Sequence, residues 1–297
     1  MRLPATSSIG RTAAPIIAVS ISPTSANGAP MPIQTDPALF ASELKRWRHH
    51  RRYSQLQLAN QAQVSQRHLS FLENGRSRPS AEMVEHLSIV LAIPLRARNA
   101  LLNAAGFADA YSEEPLQGVA LAQIRSTLHT LVEAHNPYPA YIVDRAWNLL
   151  DANTAAANLT ALLLGKEPSL ELATNVLRLF LHPDGARHAV TNWHEAAAVL
   201  VERLASECAN CPGDPNMRAL YNEVTSYPDV TTRPDRTASS NGLLTAIEIE
   251  MDGISLRLYT TISSLAATGD VTLEELRLET LLPADDETAE ALRVLTT

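Results

Sequence analysis

Residues 55–73 read Gln-Leu-Gln-Leu-Ala-Asn-Gln-Ala-Gln-Val-Ser-Gln-Arg-His-Leu-Ser-Phe-Leu-Glu. Ser54 precedes the first half and Ser65 precedes the second. A serine oxygen in that place accepts one of the unpaired amide hydrogens that open a helix. The spacing predicts one helix from Gln55 to Ala62 and another from Gln66 to Glu73, stopped by Asn74-Gly75. Ala59 stands where two helices cross closely, and Val64, Leu69 and Leu72 are the apolar pegs that hold the second against the first.

The same texture extends on both sides. Asp36 can cap a helix with Pro37 in its first position, and Leu39, Phe40, Leu44 and Trp47 then share a face. Ser80 caps a fourth helix, Ala81 to Leu91, and Pro94 opens a fifth that ends at Gly106. Residues 36–106 thus read as an all-α five-helix domain and 107–116 as a linker. Residues 1–35, rich in Ala, Ser, Thr and Pro and without an acidic residue, read as disordered. Met31 stands just before the structured part and is an alternative start to Met1.

From 117 onward the pattern is mixed. Helices are expected at Gln117–His135, Asn153–Leu164, Ala173–Leu181, Arg187–Ala209, Asn216–Tyr227 and Asp286–Leu295. Tyr138–Val143, Trp147–Leu150 and Leu276–Leu282 read as strands. Ile247, Ile249 and Met251 alternate, Asp252-Gly253 follows, and Ile254, Leu256 and Leu258 alternate again, which is a hairpin signal. Residues 117–297 are therefore α+β with an antiparallel sheet.

Of the 297 residues, 45% are hydrophobic and 19% charged, which suits a globular chain with a core. No stretch approaches the roughly 20 apolar residues that span a bilayer. Two cysteines make no disulfide framework, so a cytoplasmic location is expected. The net charge of −8 is unevenly spread. Residues 36–110 carry ten Lys/Arg against six Asp/Glu, whereas 111–297 carry twelve against 26. A basic module joined to an acidic one implies that only the first meets a polyanion.

The segment 55–75 resembles the helix-turn-helix of phage-repressor (Cro/C1-type, XRE) regulators, with Gln63 where that family usually has glycine. The resemblance implies a recognition helix in the DNA major groove. Gln66, Arg67 and Phe71 would then face base edges, with His68 and Ser70 behind them. Gln55, Arg51, Arg52, Arg76 and Arg78 would meet phosphates. A longer similarity, to the MmyB-like regulators, is carried by Ser65–Ser80, Pro94–Asn99, Ala104–Phe107, Pro137–Asn148, Leu181-His-Pro-Asp-Gly185, Asp270–Leu276 and Pro283-Ala-Asp285. It implies a PAS-like second domain that binds a small, lipid-like effector such as a fatty acid, with Trp147 and Asn153 in its opening strand-strand-helix. Leu281-Leu282 replace two phenylalanines frequent in that family, and Ser264-Leu265-Ala266 a Phe-Gly element.

Asn153, Arg178 and His182 are polar residues beside apolar runs, and an arginine can hold a carboxylate in bidentate fashion. Cys208-Ala-Asn-Cys211 is a single pair without the four ligands of structural zinc, and no metal site is expected. His194-Glu195 lacks the second histidine of a metalloprotease helix, and neither a phosphate-binding loop nor a nucleophile-base motif is present, so no enzyme or cofactor is indicated. The sequence points to a transcription regulator that binds double-stranded DNA as a homodimer on a two-fold operator and senses a small apolar effector, without membrane attachment. The competing reading makes the acidic domain a protein-interaction module.

Overall fold

In the computed structural model, Asp36 begins the described chain, which comprises residues 36–165, 170–211, 214–231, 245–251, 253–266 and 269–296. The expectations for 1–35, with Met31, and for Asp252 lie outside the described residues. Five helices come first: α1 (Pro37–His50), α2 (Gln55–Gln61), α3 (Gln66–Glu73), α4 (Ala81–Val90) and α5 (Leu95–Ala105). Each cap expected from a side chain is made: Asp36 Oδ1 accepts from the amides of Ala38 and Leu39, and the hydroxyls of Ser54, Ser65 and Ser80 accept from Gln57, His68 and Met83.

All five helices end alike, with a left-handed residue followed by an amide that reaches back five positions: Arg52, Gln63, Gly75, Ala92 and Gly106. Glycine suits such a residue, and three of these helices close without one. Gln63, at φ 53°, bears the left-handed strain expected of it. The core is Phe40, Leu44, Trp47, Leu58, Ala59, Leu69, Leu72 and Leu87, with Val64 packed on its edge. Leu39, expected on the inner face of α1, is exposed, because the buried stripe runs through Phe40, Ala41, Leu44, Trp47 and Arg48.

Arg48 is buried in this apolar setting. Its Nε and Nη2 donate to Glu73 Oε1 and Oε2 at 2.6 and 3.0 Å, and its Nη1 donates to the Tyr53 carbonyl at 2.8 Å. Gln55 Nε2 donates to the same Glu73 at 2.8 Å. One buried carboxylate therefore ties α1, α2 and α3 together, which fixes α3 on its support.

The second half contributes α6 (Ala122–Glu133), β1 (Ala140–Val143), β2 (Leu149–Ala152), α7 (Thr154–Leu164), α8 (Leu170–Ala173), α9 (Val176–Leu181), a 3-10 turn (Ala186–Ala189), α10 (Trp193–Asn210), α11 (Pro215–Thr225), β3 (Ile247–Met251), β4 (Ile254–Ser264), α12 (Val271–Glu275), β5 (Arg277–Pro283) and α13 (Asp286–Leu295). The strands form one antiparallel sheet, ordered β2-β1-β5-β4-β3, as a PAS-like domain requires. The hairpin stands where alternation placed it, with Met251 opposite Ile254. The last strand, β5, is central, between β1 and β4. Helix α6 covers one face through Leu128 and Val132 against Ala140 and Ile142, and α7, α9–α11 and α13 cover the other.

Three expected elements are corrected. The strand expected at Trp147–Leu150 starts at Leu149, because Asp144 Oδ1 accepts from the amides of Ala146 and Asn148 and folds Trp147 into the preceding turn. The helix expected at Ala173–Leu181 is two, since Asn175 Oδ1 starts a new one by accepting from Leu177 and Arg178. The helix expected at Arg187–Ala209 breaks at Val190–Asn192, where the chain bridges to β3 and the Thr191 amide donates to the Glu248 carbonyl.

Candidate functional site

Helix α3 buries Leu69, Leu72 and Glu73 and turns Gln66 and Arg67 to solvent, with His68, Ser70 and Phe71 half-buried. The Arg67 guanidinium lies 5.3 Å from the centre of the Phe71 ring, one turn along the same face. The Ser70 carbonyl accepts from Asn74 Nδ2 at 2.7 Å and closes the end of the helix. The result is a short, capped helix with a donor-rich polar face beside an aromatic edge, which suits reading base edges. Arg76 and Arg78 follow it and Arg52 ends α1, all three exposed.

Two of the expected phosphate contacts are otherwise engaged. Arg51 donates from Nε to the Leu91 carbonyl at 2.8 Å and from Nη2 to that of Ala92 at 2.6 Å, so it closes α4 instead of facing outward. Gln55 is turned inward to Glu73, as above, so its side chain does not face outward.

In the second half the expected ligand residues are structural. Asn153 is fully buried, and its Oδ1 accepts from Ala140 and Ala156 while its Nδ2 donates to Tyr138 and Val132. It has no hydrogen bond left for a ligand. Trp147, also fully buried, has φ 63° and donates from Nε1 to Glu207 at 2.9 Å. A left-handed tryptophan is a strained residue that the packing around it must hold in place. Arg178 is held bidentate by Glu223 at 2.7 and 2.8 Å, and its guanidinium keeps that carboxyl below the usual glutamate range. His182 ends α9, accepts from the Asp184 amide on Nδ1 and meets the Tyr227 ring edge-on at 5.1 Å. The structure thus brings Arg178 and His182 together, but around Glu223 and Tyr227.

Among the buried polar residues that sequence reading missed is Glu279 on β5. It is 4% exposed, its Oε2 has no hydrogen-bond partner, and it lies with Tyr141 and Leu281 on the face of the sheet covered by α7, α9–α11 and α13. Burial pushes its carboxyl up to about 7, against a pull from Arg203, a push from Glu207 and a pull from Arg277. The signal was a carboxylate in phase with Leu281 on a strand that also carries Leu278 and Leu282.

The two halves therefore pair a capped helix α3, its polar face turned to solvent, with a layer of helices on an antiparallel sheet. A family model described as MmyB-like transcription regulator ligand binding domain matches residues 124–295, more than half of the chain, and a helix-turn-helix domain model matches residues 39–101. The chain belongs to the MmyB-like transcription regulators. It is a DNA-binding regulator with a ligand-binding domain. No curated protein matches it.

In this MmyB-like regulator the stretch expected to be a linker is strapped to both halves. Asn99 of α5 accepts on Oδ1 from the amides of Ala110 and Tyr111 and donates to the Tyr111 carbonyl. Ser112 and the Glu114 amide then donate to Asp270, at the start of α12. Helix α12 in turn touches α5 directly. Glu274 Oε2 accepts from the Leu95 amide at 2.8 Å, and Glu275 takes Arg96 on both oxygens at 2.8 and 3.0 Å. Pro94 has no side chain able to cap α5, so the ligand-binding domain supplies the cap. Burial pushes the Glu274 carboxyl up. Cys208 and Cys211 are free thiols, both pushed up by burial, which does not favour a reactive thiolate. No helix among the described residues is long and apolar enough to cross a membrane.

Proposed function

We propose that this chain acts in the cytoplasm as a homodimer, reads a two-fold DNA site through Gln66, Arg67 and Phe71, and responds to a small, lipid-like apolar effector held in its PAS-like domain. The observation that carries the reading is the direct seam between α12 and α5. A ligand acts on DNA binding only by favouring one arrangement of the protein over another. The seam gives the ligand-binding domain a hold on the DNA-binding domain through Glu274 and Glu275. The apolar layer between the sheet and α7, α9–α11 and α13 is the natural host for an apolar molecule.

Native mass spectrometry of the purified full chain, followed by denaturing extraction, tests it. The expected result is a dimer that releases a fatty-acid-like molecule. An empty dimer, or one that carries a protein partner and no small molecule, would overturn the effector half in favour of an interaction module.

A further inference from the structure

Helix α10 ends on the two thiols of the chain, Cys208 and Cys211. The Cys211 amide donates to the Glu207 carbonyl at 3.1 Å and to that of Cys208 at 3.2 Å, so the cysteines stand about one turn apart at the helix end. Cys208 Sγ donates to the Met217 carbonyl at 3.4 Å, which turns it toward α11. Both cysteines are half-buried, and both line one open cavity of about 400 Å³ with Asp214, Tyr221 and Asn222.

Spacing and protonation together select the partner of this pair. Side chains three apart on a helix have Cβ atoms about 5–6 Å from each other, whereas a disulfide needs roughly 3.5–4.5 Å. A direct S–S bond would therefore strain the end of α10, and a bridge one atom longer suits it. Burial pushes both thiols up, so at neutral pH they keep their protons. A group that binds by carrying thiol protons away as water fits such a pair better than an oxidant that needs thiolate. Two sulfur ligands also fall short of the four of structural zinc.

We propose that Cys208 and Cys211 form a chelating dithiol site, separate from the PAS-like layer, for a trivalent arsenical. An arsenous group, R–As(OH)2, exchanges its two As–OH bonds for two As–S bonds, and each thiol proton leaves with a hydroxyl as water. Arsenic stays trivalent, and no oxidant or reductant is consumed. Asn210, between the two cysteines, accepts on Oδ1 from His50 Nε2 at 2.9 Å at the end of α1. An occupant therefore bears on a contact between the ligand-binding and DNA-binding domains.

The probe is phenylarsonous acid, added to the full-length protein. Intact-mass spectrometry should show a single phenylarsenic group per chain, retained in excess glutathione, a monothiol, and removed by 1,2-ethanedithiol. Cys208→Ser and Cys211→Ser, each folded by circular dichroism, should bind at least about a hundredfold more weakly, because the second As–S bond forms within one molecule. An unfolded chain also offers two thiols, so the folded site is marked by a raised urea midpoint in the loaded wild type. The His50 imidazole signals, assigned by NMR through His50→Gln, should shift on loading. Loss of the adduct to glutathione, undiminished affinity in either folded serine variant, an unchanged or lowered urea midpoint, or unmoved His50 signals would each overturn the proposal.

Discussion

Glu279→Gln should change how stability depends on pH. The carboxyl is buried on the face of β5 that α7, α9–α11 and α13 cover, near Arg203, Glu207 and Arg277, and burial raises it from the ordinary 4.5 to about 7. The folded chain therefore holds this proton more tightly than the unfolded chain. Its contribution is most favourable below about pH 4.5 and is lost as the pH rises through about 7. At about 1.4 kcal/mol per pH unit, the full loss is roughly 3 kcal/mol, most of it between about pH 5 and pH 8. Glutamine keeps the shape and cannot ionise. Urea unfolding followed by tryptophan fluorescence, run on both proteins across that range, isolates Glu279 as the difference, because the other carboxylates titrate alike in each. The variant should match the wild type near pH 5 and exceed it by roughly 2–3 kcal/mol near pH 8. A flat difference across the range would refute the reasoning.

Three further outcomes follow from the geometry. Glu73→Gln, which breaks the buried pair with Arg48, should cost about 3–5 kcal/mol in urea unfolding, whereas Arg48→Met with Glu73→Leu should recover most of that loss. Gln63→Gly should raise the stability of the DNA-binding domain by about 0.5–1 kcal/mol, because the residue is left-handed and exposed, and a lower melting temperature would contradict it. Glu274→Ala removes the cap of α5 and should speed hydrogen exchange at the Leu95 amide, with a loss of about 1 kcal/mol. Unchanged exchange would show that α12 does not cap it.

What could be read from sequence was local. Ser54, Ser65 and Ser80 act within three residues of themselves, and Asp36, Asn74-Gly75 and Gly253 do the same, so helix starts, helix ends and the hairpin turn were legible. Helix α13 was read with its observed bounds. The rest depends on partners far along the chain. Arg48 meets Glu73 after 25 residues, Arg178 meets Glu223 after 45, and Leu95 meets Glu274 after 179. Nothing in the periodicity of β5 says that the last strand enters the middle of the sheet. Arg51 and Gln55 looked free because an exposed-looking basic or amide side chain carries no local mark of the carbonyl or carboxylate it will find. Asn153 looked like an anchor for the same reason, and four backbone partners from three segments absorb it.

Anisotropy titration of a duplex selected from a random pool, against the same duplex scrambled at its centre, tests the DNA-reading role of α3 most directly. The full-length protein should prefer the selected duplex by roughly 10³-fold or more. Arg67→Ala should lose about 1–3 kcal/mol of that preference, while Arg76→Ala weakens both duplexes alike. Equal binding of both duplexes by the wild type, or undiminished discrimination by Arg67→Ala, would contradict it.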